Sequence, residues 1–183
     1  MMFLAPVWPV VTLYAGGMPL PEVCVCYLLR VAPGGDEVLL GRKKIGLGKG
    51  NLVGPGGKIE CAETPELAIR REVTEETSLV LGEIELVGEL TYPFPFKPAW
   101  SQKSWVFICW EWEGEARESD ELAPEWYSVA DIPTARMWDD ARYWVRDALA
   151  GYFVRATFEF GADLRTVSRS DHPAFAINSP RDP

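Results

Sequence analysis

Glu72, Glu75 and Glu76 stand at i, i+3 and i+4, so on a helix their carboxyl groups share one face and crowd together. Neighbouring carboxylates repel unless something neutralises them. On an arbitrary helix such a face is usually just solvated, but here the context differs. Gly54-Pro55-Gly56-Gly57 leads into the segment and lets backbone approach a ligand closely. Lys58 follows this loop and Arg71 adjoins the acids, so cations can orient carboxylates or touch phosphate. Carboxylates plus a backbone carbonyl form a hard-oxygen set, which suits Mg²⁺ or Mn²⁺.

A helix must carry this cluster, and its start is written in the sequence. Thr64 can cap, Pro65 fits the first helical position, and Glu66 complements the dipole, giving a helix to about Thr77. A second helix is expected over 139–150, stopped by Gly151, with Trp138, Ala141, Val145 and Leu149 on its core face. Strand-like runs occupy 22–31, 37–42, 85–92, 104–112, 125–128 and 152–160. Pro33-Gly34-Gly35 predicts a hairpin between the first two, and 161–163 reads as a turn. Residues 1–19 read as an N-terminal arm, with Met18 an alternative start, 20–167 as one domain, and 168–183 as a polar, aperiodic tail.

The chain of 183 residues suits one globular domain. Its formal charge of −9 argues against duplex DNA or an anionic membrane as partner, since both need a basic surface. A small phosphorylated ligand stays open, because a bound cation reverses the local sign. No basic residue precedes the apolar start, Pro6 and Pro9 interrupt it, and no apolar run is long enough to span a bilayer. Cys24, Cys26, Cys61 and Cys109 show no CxxC spacing, which points to buried, reduced thiols and a cytoplasmic location. His172, the single histidine, falls in the expected tail, which argues against a histidine base.

Residues 57–79 resemble the Nudix box, G-x5-E-x7-R-E-U-x-E-E-x-G-U with U apolar: Gly57, Glu63, Arg71, Glu72, Val73, Glu75, Glu76 and Leu79 all match. Ser78 replaces the glycine that ends the helix, at a cost of about 1 kcal/mol if the position is left-handed. The resemblance implies an α/β/α sandwich around a mixed sheet, with the box as loop–helix–loop. It implies a Mg²⁺-dependent hydrolase (Mn²⁺ serving as well) of a nucleotide-like diphosphate. The Gly57 carbonyl, Glu72, Glu75, Glu76 and Glu121 would hold metal. Glu72 or Glu75 would activate water, Arg71 would pair with Glu63 to brace the helix, and Lys58 would help position the attack.

Beyond the box, Leu40–Gly48, Glu118-Ser119-Asp120-Glu121 with Pro124–Tyr127, and Met137–Trp144 are similar to oxidised-purine nucleoside triphosphatases of the MutT type, in particular the animal-type branch. That likeness implies hydrolysis of substrates such as 8-oxo-dGTP to monophosphate and pyrophosphate; the oligomeric state stays open, with a monomer expected. Lys43, Leu47, Val53, Trp138 and Asp140 would meet the substrate, with Trp138 stacking on the base and Asp140 reading its edge. Tyr143 and Trp144 are as well read as core aromatics. Two polar base contacts of the pattern are lost, at Val53 and Ala141, unless Asn51 or Asp139 substitutes. A Nudix hydrolase of ADP-ribose, a dinucleotide or an unmodified nucleotide is the alternative, and a non-catalytic nucleotide sensor a third. If Asp140 is not a base reader, it is a helix cap.

Overall fold

A computed structural model describes residues 19–178, so all but Pro19 of the expected arm lies outside the described residues, as do 179–183. The elements in order are β1 (Glu22–Ala32), β2 (Gly35–Lys43), β3 (Leu52–Val53), β4 (Gly56–Lys58), α1 (Pro65–Thr77), β5 (Val80–Leu81) and β6 (Ile84–Tyr92). Then come β7 (Gln102–Cys109), β8 (Trp112–Glu113), β9 (Leu122–Ser128), α2 (Ala141–Leu149), β10 (Val154–Phe160), β11 (Val167–Ser170) and α3 (Pro173–Asn178). The main sheet runs β11-β10-β6-β7-β1-β2-β3, with β4 also on β1 and β9 also on β2. It is mixed: β1–β7 and β10–β6 are parallel, and the other pairs are antiparallel.

Both faces of the sheet are covered, so its central strands are apolar on both sides. Side chains alternate across a strand. In β1, Cys24, Cys26 and Leu28 therefore meet Ala68, Ile69 and Val73 of α1, whereas Tyr27 and Leu29 join Ala141, Trp144 and Val145 of α2. β7 divides likewise, with Phe107 and Cys109 toward α1 and Val106 and Ile108 toward α2. This is the expected α/β/α sandwich.

α1 follows its sequence signals. The Thr64 hydroxyl accepts from Leu67 N–H at 3.3 Å, and Pro65 opens the helix. Ser78 ends it at φ 63°, ψ 15°, the left-handed conformation that favours glycine, and donates its N–H to Thr74 O at 2.9 Å.

Other expectations need correction. The strand expected over 104–112 breaks after Cys109, where Glu111 O accepts the Gly82 N–H, and β8 pairs with β5 instead. The strand expected from 152 starts at Val154, leaving Tyr152 and Phe153 exposed. Cys61 is exposed in the turn before α1, although the other three thiols are buried. The segment expected as a tail from 168 is instead folded as far as 178: β11 pairs with β10, while buried His172 packs on Phe158 and partly buried Phe175 on Tyr143. These are contacts distant in sequence, which no local period reports.

Candidate active site

The glycine loop and α1 meet through one guanidinium. Arg71 Nε and Nη2 each donate to Glu63 at 2.8 Å, a bidentate pair, and Nη2 also reaches Lys58 O at 3.0 Å. Nη1 donates to Glu72 at 2.8 Å and Glu75 at 3.3 Å. All five N–H donors of the side chain are thus used. Arg71 holds the Glu63 carboxyl down to about 2, helped by the Glu60 N–H. Glu72 moves upward, because burial outweighs its bond to Arg71. Glycine is required beneath it: a Cβ on Gly57 would collide with the Glu72 carboxylate, and one on Gly56 (φ 154°) would collide with Cys24 O.

Gly57, Lys58, Arg71, Glu72, Glu75 and Glu121 line one end of a cavity of about 870 Å³, as Lys43, Leu47 and Val53 do further along. The far end is formed by Trp138, Asp140 and Trp144, with Tyr27 and Tyr92, which the sequence reading did not single out. Trp138 turns its edge to the β2–β3 loop, where a Cβ on Gly48 would lie 2.7 Å from the indole nitrogen. Glu76 stands apart from this wall. It is 3% exposed, its Oε2 accepts Gly56 N–H at 2.8 Å, and Lys43 Nζ lies 3.8 Å from Oε1. Burial pushes its carboxyl up to about 7 despite these partners. It holds the glycine loop from behind.

Asp140 occupies the position before α2, yet its side chain caps nothing, contrary to the alternative reading. Its Oδ2 accepts Trp144 Nε1–H at 2.7 Å, and Tyr92 adds a second bond. Burial raises this carboxyl to about 6. Trp144 is therefore both core and cavity floor, whereas Tyr143 stacks on Phe158 and belongs to the core alone. Asn51 and Asp139 line an adjacent cleft that shares Leu47, Met137 and Trp138 with this cavity. Asp139 also anchors the Val167 N–H at 2.9 Å.

The donor chemistry fits a hard divalent cation: three carboxylates and the Gly57 loop border one cavity. Among the described residues, no three such groups converge closely enough to hold an ion. Arg71 Nη1 pairs with Glu72 and Glu75 together.

Comparison with known proteins agrees with this geometry. The sequence profile of the NUDIX domain matches residues 20–148. An oxidized purine nucleoside triphosphate hydrolase of Danio rerio is 37% identical over 131 residues, covering 69% of this chain and 82% of that protein. Its namesake in Mus musculus is 36% identical over 109 residues, covering 60% and 69%. The crystal structure of a MutT protein from Bacillus halodurans superposes with a TM-score of 0.68 at 26% identity, over 83% of this chain and 98% of that one. By profile, fold and site, the chain belongs to the NUDIX domain family and is a Nudix hydrolase.

Proposed function

We propose that this Nudix hydrolase is a Mg²⁺-dependent diphosphatase of oxidised purine nucleoside triphosphates, such as 8-oxo-dGTP, yielding monophosphate and pyrophosphate. One observation carries the reading: a single cavity of about 870 Å³ joins carboxylates and aromatic side chains with one buried carboxyl, a lining that suits a nucleotide. The names of the relatives in fish and mouse support the substrate class.

In this reading the Gly57 carbonyl, Glu72, Glu75 and Glu121 would hold the metal, while Glu76, bonded to the Gly56 N–H beside Lys43, would support them through the glycine loop. When bound, the cation neutralises phosphate oxygens and lowers the pKa of a water. Glu72 or Glu75 accepts the proton of the attacking water. Arg71 keeps both carboxylates oriented, while Lys58 and Lys43 add positive charge along the phosphates. Trp138 stacks on the base, a contact worth about 1–3 kcal/mol. Leu47 and Val53 supply apolar wall, and Asp140 meets the base edge. The protein would act as a monomer on a small nucleotide and not on nucleic acid, in keeping with its charge of −9. Four free thiols fit a reducing cytoplasm. No described helix is long and apolar enough to cross a membrane.

Val53 and Ala141 favour a second reading, in which the base is read less strictly and another diphosphate is the better substrate. A nucleotide panel with Mg²⁺ in oxygen-18 water separates the two. Release of labelled monophosphate or labelled pyrophosphate in one step, fastest with an oxidised purine, supports the first. Stepwise orthophosphate release, or preference for ADP-ribose or a dinucleotide, overturns it.

A further inference from the structure

Lys43 ends β2, Lys44 follows it, and the two send their side chains to different partners. Lys43 approaches Glu76 on α1, whereas Lys44 Nζ lies 2.9 Å from Glu118 Oε1 and 2.6 Å from Ser119 O. The backbone N–H of Lys44 also donates to Glu121 O at 2.8 Å. The Ser119 hydroxyl in turn accepts the N–H groups of Glu121 and Leu122 at 3.3 and 3.1 Å. Leu122, fully buried, then begins β9. Glu121 is thus fixed by a turn that a single lysine grips from both its side chain and its backbone.

The segment needs such a grip. Glu115, Glu118, Asp120 and Glu121 are all acidic, and Glu121 lines the same cavity as Glu72 and Glu75. Without a counter-charge the turn is pushed away from α1. Glu118 is 60% exposed in its side chain, and an ion pair so open contributes little to stability. Its value lies in placement.

We propose that Lys44 is a positioning residue for the cation site, holding the Glu118-Ser119 turn so that Glu121 faces Glu72 and Glu75 across the cavity. This rests on the reading above that Glu121 is a metal ligand. Groups that orient metal ligands commonly change metal affinity by about 10- to 100-fold when removed. Binding of Mn²⁺ without nucleotide, followed by the electron paramagnetic resonance of the free ion, provides the test.

Lys44→Met should weaken Mn²⁺ binding about tenfold, and Lys44→Arg should recover most of it. Glu121→Gln should weaken it at least as much, and adding Lys44→Met to that variant should change little further. If Glu121→Gln binds like wild type, Glu121 is no ligand and the underlying reading fails. If it weakens but Lys44→Met does not, or if the two effects simply add, the proposal is overturned while the ligand assignment stands. Should Lys44→Met fail to fold, Glu118→Gln serves instead. It breaks the exposed end of the clasp, and wild-type Mn²⁺ binding in that variant would equally overturn the proposal.

Discussion

The Asp140 carboxylate receives the Trp144 indole N–H at 2.7 Å, both side chains being almost fully buried, and the pair closes the aromatic end of the cavity. Replacing Asp140 by Ala leaves that N–H without its acceptor, at a cost of about 1–3 kcal/mol. The melting temperature should fall by roughly 2–4 °C for each kcal/mol in a chain of this size. The kcat/KM for the best nucleotide should also drop about tenfold, with little change for poor ones. Trp144→Phe loses the donor but keeps the carboxyl, so it separates the effects. A lower melting point with unchanged substrate ranking in both variants would remove Asp140 from base recognition.

Glu76 gives the metal-free protein a pH signature. Its folded pKa of about 7 lies above the ordinary 4.5, so between these values the folded state binds more protons than the unfolded one. Stability must therefore decline as pH rises through that window, by at most about 3 kcal/mol from this group. Asp140, raised from 3.8 to about 6, adds a decline of the same sign at lower pH. Melting curves in chelator from pH 4 to 8 should be flatter for Glu76→Gln than for wild type. Parallel curves would show that Glu76 ionises normally. In saturating Mg²⁺ the same variant should lose about a hundredfold in turnover, because the negative charge that the Gly56 N–H and Lys43 meet behind the glycine loop is gone.

Arg71→Lys tests the brace. A lysine ammonium has three donors and no fork, so it cannot serve Glu63 bidentately and also reach Glu72, Glu75 and Lys58 O. Turnover should fall at least about tenfold, since each charge-assisted bond lost is worth about 1.5–3 kcal/mol. Steady-state kinetics on the lysine variant, retaining half or more of wild-type kcat, would contradict the assignment.

Ser78→Gly should stabilise without touching catalysis. At φ 63° a Cβ is strained by about 1–2 kcal/mol, and glycine's extra freedom in the unfolded chain returns part of this. The net gain is about 1 kcal/mol or less, read as a rise of roughly 1–3 °C in melting temperature with kcat unchanged. A fall in melting temperature would mean that the exposed hydroxyl contributes more than its strain.

How much of this could be read in advance depended on distance along the chain. Glu72, Glu75, Glu76 and Arg71 lie on one helix, so helical spacing brought them together without knowledge of the sheet, whereas the pairing of Arg71 with Glu63 came from the resemblance to the Nudix box. The same spacing set Glu76 beside Glu72, but could not reveal that it turns behind Gly56 rather than into the cavity. Tyr27 and Tyr92 looked like ordinary strand aromatics, and they reach the aromatic end only because β1 and β6 flank β7 in the folded sheet. β11 and α3 escaped notice for the same reason: their order comes from Tyr143, Phe158 and the Asp139 bond to Val167, not from any period of their own.

The cavity is built at a seam between two hydrophobic cores. Glu72 and Glu75 ride on α1, which packs into the core on one face of the sheet, whereas Trp138, Asp140 and Trp144 are fastened to the core on the other face. The two ends of a bound nucleotide would therefore be gripped by separately packed halves of one molecule. Side chains under α2 can be exchanged to suit a new base while the machinery under α1 keeps its footing. In the proposed reading, specificity and bond cleavage would rest on different faces, and one could drift while the other is held constant.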